Sequence, residues 1–248
     1  MTPRITGAVA GRVLAQLRRD HRTVGMLLAV PSLLLGLLWW MFDGSDSSAA
    51  TFDRFGPPLL VVFPFIVMFL VTSVTTLRER ASGTLERLLA MPMGKADLLL
   101  GYAIAFGAVG LAQSGLAVGL TVGLLDMDVR GPVWALMLVS VLNAVLGTAL
   151  GLFVSAFAET EFQAVQFMPA LVLPQLLLCG LFVPRDTLPD VLGAVSDVLP
   201  LSYAVDAMQQ VQLSATWTAD LTVDLAVIAG SALLALLFGA ATLRRRTA

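Results

Sequence analysis

Few residues in this chain could do chemistry, and none forms a recognisable enzyme site. The 248 residues contain one histidine, His21, and one cysteine, Cys179, which excludes a His-Glu-x-x-His zinc helix and an intrachain disulfide. Cys179 lies inside an apolar run, where a small buried packing residue is expected. The sequence therefore predicts no catalytic site, no metal and no cofactor bound by this chain.

A phosphate-binding loop is not predicted either. Gly94 and Lys95 resemble the end of such a loop, but Leu89 replaces the required first glycine and Ala96 the required hydroxyl residue. The long apolar segments contain no Lys, Arg, His or Glu, whereas ion-coupled transporters usually carry ionisable groups there. If the protein moves a solute uphill, we expect the energy to enter through another subunit.

Uncharged polar residues within the apolar segments are the candidates for a substrate path. Amides and hydroxyls facing lipid are costly, so we expect these side chains to point into the protein or a cavity. The candidates are Thr72, Thr76, Asn143, Gln166 and Gln175. Hydrogen bonding between helices explains them equally well.

Prolines and glycines mark two further features of the apolar segments. Pro169 and Pro174 predict a bend in one helix, which either gates a path or is merely structural. Glycines four residues apart predict close helix packing within one molecule rather than a dimer seam. They are Gly115, Gly119 and Gly123 in one segment, and Gly147 and Gly151 in the next.

The elements that position these residues are predicted to be membrane-spanning helices. Hydrophobic residues make up 58% of the chain and charged residues 13%, against roughly 25% charged in soluble domains. Apolar windows long enough to span a bilayer occur at about 24–42, 58–77, 98–125, 133–157, 164–183 and 222–243. This predicts an all-α polytopic membrane protein forming one transmembrane domain over 1–248. The first window exceeds the length of a cleavable signal and is expected to be a retained anchor. With a net charge of −2, no nucleic-acid partner is expected.

The distribution of basic residues predicts the orientation. All fifteen basic residues except Arg54, Arg130 and Arg185 fall on one side of the predicted spans. By the positive-inside rule, that side is cytoplasmic and carries both ends of the chain. These twelve residues are Arg4, Arg12, Arg18, Arg19, Arg22, Arg78, Arg80, Arg87, Lys95, Arg244, Arg245 and Arg246.

Three segments outside the spans are predicted to be short helices. Residues 4–22 form an interfacial helix, with its apolar stripe at the acyl boundary and its arginines at anionic headgroups. In the cytoplasmic segment 78–97, a short helix from Thr84 carries an apolar knob of Leu85, Leu88 and Leu89 that suits docking to a cytoplasmic partner. A solvated loop is the alternative. The external segment 187–213 forms two amphipathic helices, the first capped by Thr187.

Two stretches of sequence resemble the type-2 ABC exporter permeases, the group that includes bacterial drug-resistance and polysaccharide exporters. The first is Glu79-Arg80-Ala81-Ser82-Gly83-Thr84-Leu85-Glu86-Arg87-Leu88-Leu89, followed by Pro92 and Leu98-Leu99-Leu100-Gly101. The second runs from Ser155 through Pro169, Pro174-Gln175 and Val183-Pro184-Arg185 to Leu199-Pro200-Leu201-Ser202-Tyr203. One departure is Tyr102, where many members have lysine.

The resemblance implies a bacterial inner-membrane exporter of a hydrophobic or amphipathic drug, lipid or glycolipid. Two permeases, identical or homologous, would each contact one of two cytoplasmic ABC ATPase subunits, which bind ATP and Mg²⁺. The resemblance assigns coupling to the ATPase to Glu79, Gly83, Thr84, Leu85, Glu86, Arg87, Leu88 and Leu89. It places spans two and five along the path and 187–213 at its outer end. A passive or ion-coupled transporter and a non-transporting membrane scaffold are the alternatives.

Overall fold

The computed structural model describes residues 2–42, 48–90 and 93–242, and these residues form helices and connecting turns without a strand. The helices are α1 (Pro3–Arg19), α2 (His21–Phe42), α3 (Ser48–Ala81), α4 (Thr84–Ala90), α5 (Lys95–Gly123), α6 (Val133–Val154), α7 (Glu161–Leu178), α8 (Asp190–Val198), α9 (Pro200–Leu213) and α10 (Ala219–Thr242). A 3₁₀ turn covers Arg185–Thr187. Pro92, Arg244, Arg245, Arg246 and the side chains of Glu86 and Leu89 lie outside the described part.

Helix α6 is the centre of the molecule and packs against α3, α5 and α10. Its two glycines allow α3 to approach closely: a Cβ on Gly147 would lie 2.3 Å from the carbonyl oxygen of Phe65, and one on Gly151 2.6 Å from that of Phe69. The prediction that this pair of glycines packs within the molecule is confirmed. In α5 it is wrong for Gly119 and Gly123, which have no atom within 4 Å of an added Cβ.

A proline in α3 explains one of the hydrogen bonds that join it to α6. Pro64 has no N–H, which leaves the carbonyl of Leu60 without its usual partner four residues on. The hydroxyl of Ser140 donates to that carbonyl. Next to it, Nδ2 of Asn143 donates to the carbonyl oxygen of Val61 at 2.9 Å. Polar side chains of α6 therefore bond α3 carbonyls near the proline.

Within the described residues, five helices are long and apolar enough to cross a membrane: α2, α3, α5, α6 and α10. The count becomes six if α8 and α9, which meet at 88°, are one broken span. Helix α7, which covers most of the predicted fifth span, is not among the five. Its 18 residues include Glu161, Gln163, Gln166 and Gln175, which lower its hydropathy.

Three sequence predictions are corrected by the structure. Helix α3 begins at Ser48, nearly three turns of helix before the predicted 58, because Phe52 is buried and its ring lies against Gly56. The apolar stripe of α1 is buried in one cluster with residues of α4 and α5 instead of lying at the acyl boundary, and two of its residues also line a groove. Thr187 does not cap a helix: its hydroxyl donates to the carbonyl of Pro184, and α8 begins at Asp190.

Candidate coupling site at the membrane surface

The short helix α4 is held by an apolar core. Leu85 and Leu88 are 3% and 8% exposed, and they belong to the same buried cluster as Val9 and Val13 of α1 and Leu98 of α5. Spacing of three residues puts both leucines on one face of α4, which explains why both are buried together. α4 is therefore fixed to the membrane-embedded part of the protein.

The turn between α3 and α4 is built from small residues. Gly83 has φ of +71°, a conformation that costs glycine little and other residues more. The hydroxyl of Ser82 donates to the carbonyl of Glu79 at 3.1 Å and lies 2.9 Å from the hydroxyl of Thr84. These contacts set the direction in which α4 leaves α3.

A partly buried ion pair ties α1 to the end of α3. Arg12 donates from Nη1 and Nη2 to the two carboxylate oxygens of Glu79, at 3.0 and 3.2 Å. Nη2 of Arg12 also donates to the hydroxyl of Tyr102 at 3.0 Å, and the guanidinium lies 5.9 Å from the centre of that ring. Three helices, α1, α3 and α5, thus meet at one guanidinium.

A second contact anchors the beginning of α1 to the beginning of α5. Asp97 is 3% exposed, and its Oδ1 accepts from the backbone N of Thr2 at 2.9 Å and from the hydroxyl of Thr6 at 3.1 Å. Its Oδ2 accepts from the backbone N of Gly94 at 3.1 Å. One carboxylate therefore accepts hydrogen bonds from the beginning of α1 and from the residue before α5. Together with the bond from Arg12 to Tyr102, this joins α1 to α5 at two places.

The face of α4 turned away from this core is the one open to a partner. Arg87 is exposed, whereas Leu85 and Leu88 are buried in the apolar cluster that also contains residues of α1 and α5. The leucines therefore do not form an exposed knob, because the chain's own helices bury them. Their part in coupling stays a prediction, with the contact surface on the side of Arg87.

The structure does not bring the candidate path residues together on one open surface. Thr72, Thr76, Asn143 and Gln175 are buried, and Gln166 is exposed. Thr72 lies against Gly151 of α6, and Nε2 of Gln175 donates to the carbonyl of Leu171 in its own helix. Asn143 bonds a carbonyl of α3, whereas the hydroxyl of Thr72 has no hydrogen-bond partner among the described residues. Of the five candidates, only Gln166 stands on a free surface of this chain.

Helix α7 continues through Pro169 and Pro174 as one helix, and both prolines are exposed. Their role as a gate or kink stays a prediction.

At the first turn of α7, Thr160 caps the helix by accepting from the backbone N of Gln163 at 3.2 Å. There Glu161 pairs with Arg78 through two bonds of 2.8 Å, joining α7 to α3.

A second arginine organises the short helices α8 and α9. Arg185 pairs with Asp206 and with Asp197, donates from Nε to the hydroxyl of Ser196 at 2.9 Å, and lies 5.3 Å from the centre of the Tyr203 ring. Its partners lie on α8 and α9. We infer that this side chain holds the two short helices against the end of α7.

Sequence reasoning missed both arginine-centred clusters. It treated Arg12 as a headgroup contact and Tyr102 only as a departure from a family pattern. The available signal was Glu79, an acidic residue within the basic segment that follows the second span. For Arg185, the signal was a single basic residue among external aspartates.

These features define a class: a multi-pass membrane protein with a short surface helix anchored between two of its spans and a bent helix pair at the other end. The chain belongs to the ABC-2 type transporter family, whose model matches residues 6–213.

Individual relatives agree with this family. The chain is 27% identical over 179 residues to the probable multidrug ABC transporter permease YbhS of Escherichia coli K12, covering 72% of this chain and 48% of that protein. It is 28% identical over 175 residues to the inner membrane transport permease YhhJ of the same strain (66% and 47%). It is 25% identical over 170 residues to the linearmycin resistance permease protein LnrN of Bacillus subtilis strain 168 (68% and 43%). The chain spans about half the length of these relatives.

Proposed function

We propose that this chain is the transmembrane subunit of an ABC exporter in the bacterial inner membrane. It carries a hydrophobic or amphipathic substrate and has no catalytic site of its own. Two separate ABC ATPase subunits bind ATP and Mg²⁺ and power the complex. Family membership and the printed names of the relatives support this proposal.

The anchoring of α4 is the observation that carries the proposal. A force applied at the Arg87 face passes through Leu85 and Leu88 into the core shared with α1 and α5. The Arg12–Glu79 pair links the same core to α3. Because packed interiors transmit displacement rather than absorb it, closure of the ATPases would move these helices as one body.

The orientation belongs to the same proposal: both ends of the chain and α4 lie in the cytoplasm, and α8 and α9 lie at the outer surface. Helix α7 completes six spans. Its 18 residues cover about 27 Å, close to the thickness of a hydrocarbon core of about 30 Å. Gly180, with φ of +90°, ends the helix and turns the chain toward Arg185.

A second permease, identical or homologous, covers the free side of α7. This helix packs on α3, α8 and α9, and its other side exposes large apolar residues such as Phe162 and Leu177 together with Gln166. An amide on a lipid-facing surface is unfavourable, so a surface that contains Gln166 suits a protein interface or a hydrated path. We place the substrate path there, between the two copies.

Charge reversal at the exposed face of α4 tests the coupling assignment. With Arg87→Glu, co-purification of the cognate ATPase from membranes should fall by roughly tenfold or more, since opposed like charges in an interface cost several kcal/mol. Arg130→Glu makes the same charge change on the outer surface and should leave the complex intact. If Arg87→Glu retained full ATPase binding and stimulation, α4 would not be the contact.

A further inference from the structure

A groove between α1, α2 and α3 has an apolar end and a polar end, as a lipid molecule has. It measures about 330 Å³, within the roughly 300–1,000 Å³ typical of ligand sites. Its lining residues are Val13, Gln16, Leu17, Asp20, Thr23, Leu70, Val71, Val74, Thr75 and Arg78.

The lining is ordered along the axis of α3. Leu70, Val71 and Val74 form the deeper part, followed by Thr75 and finally by Arg78 at the membrane surface. From Leu70 to Arg78 is eight residues, or about 12 Å of helix. On α1, Val13 and Leu17 add to the apolar wall. A molecule in this groove would therefore place a hydrocarbon chain toward the bilayer interior and a polar group at the surface.

The surroundings of the polar end favour a negatively charged group. Arg18, Arg19 and Arg22 lie within two residues of lining positions and are exposed. Within the described residues, none of the three forms an ion pair with a carboxylate. Two carboxylates lie nearby: Asp20 accepts from Thr23, and Glu161 pairs with Arg78. The arginines outnumber them, so the local field is positive.

We propose that this groove binds one anionic phospholipid of the inner leaflet, with an acyl chain against Val71 and Val74 and its phosphate near Arg18 and Arg22. The lipid fills the space between α1 and α3 and so becomes part of the body that α4 moves. This assignment names a specific site, distinct from general contact between basic residues and the membrane surface.

Native mass spectrometry of the purified chain tests the site after reconstitution in vesicles of equal phosphatidylglycerol and phosphatidylethanolamine. The wild type should retain one phosphatidylglycerol beyond the loosely bound lipids. Val71→Trp fills the groove and should lose it, whereas Ile104→Trp, on the exposed side of α5, should keep it.

The headgroup claim has its own pair of variants, which change only exposed side chains. Arg18→Gln should lower the preference for phosphatidylglycerol by roughly fivefold, the factor expected for one basic residue near an anionic headgroup. Arg4→Gln, at the far end of the same helix, should not. Equal retention by Val71→Trp and wild type, or equal retention of both lipids by the wild type, would overturn the proposal. No ATPase or nucleotide is present, so the result is independent of the transport proposal.

Discussion

The packing of α1 against α3 and α5 depends on the guanidinium of Arg12. It has two bonds to Glu79, which is 5% exposed, and one to Tyr102. Leaving one member of such a pair without its partner costs more than the pair contributes in isolation. Because the Arg12 side chain is 32% exposed, water screens part of the interaction.

A double-mutant cycle measures the coupling energy between Arg12 and Glu79. We expect a coupling energy of about 1 kcal/mol between Arg12→Gln and Glu79→Gln in thermal unfolding of the purified chain. Arg78→Gln with Glu161→Gln is the matched control, because those side chains form an equally short pair but are 64% and 52% exposed. Their coupling should be about 0.5 kcal/mol or less. Strict additivity for Arg12 and Glu79 would show that the pair is not coupled.

The carboxylate of Asp20 predicts a pH dependence. Hydrogen bonds from the hydroxyl and the backbone N of Thr23 lower the pKa of Asp20 below its usual 3.8. A lowered pKa in the folded state means that the stabilisation is complete above the usual pKa and is lost as the pH falls through the lowered one. The stability advantage of wild type over Asp20→Asn should therefore shrink in thermal unfolding between about pH 5 and pH 3. A difference that is constant with pH would contradict this.

At the scale of the elements, two glycines of α5 differ in what they allow. A Cβ on Gly101 would lie 2.5 Å from Cγ1 of Val9, so this glycine lets α1 approach α5. Gly101→Ala should destabilise the protein by about 1–3 kcal/mol, since overpacking must displace α1. Gly119→Ala, on the same helix in open space, should be neutral or slightly stabilising. Thermal unfolding of the two variants decides, and equal effects would refute the packing role of Gly101.

The sequence predicts the positions of most helices because hydropathy and proline report on local structure. It places α2, α5, α6 and α10 within about four residues. It misses the beginning of α3, since Asp53, Arg54 and Pro57 interrupt the apolar pattern. Here Phe52 and Gly56 pack on each other and on Met127, a contact distant in sequence that periodicity does not report.

At the scale of the whole molecule, the sequence predicts where the coupling helix α4 lies in the chain but not which of its faces is buried. The spacing of Leu85 and Leu88 predicts that α4 has an apolar face. It does not show whether other helices of this chain or a partner protein cover that face. The buried cluster that takes up both leucines also contains Val9 and Val13, from a helix more than 70 positions earlier. The same limit applies to Thr72, whose polarity suggested a path and whose neighbour is Gly151.

The central claim is that ATP binding by partner subunits moves two copies of this chain through α4. A distance measurement tests it without knowledge of the substrate. Ala81→Cys, at the exposed end of α3 and three residues before α4, leaves Arg87 unchanged, and in a Cys179→Ala background it provides one exposed thiol per copy, because Cys179 is the chain's single cysteine. Spin labels at this position, in the complex with the cognate ATPase, should move closer together when a non-hydrolysable ATP analogue is added. An unchanged distance, or the same change without the ATPase, would contradict the account.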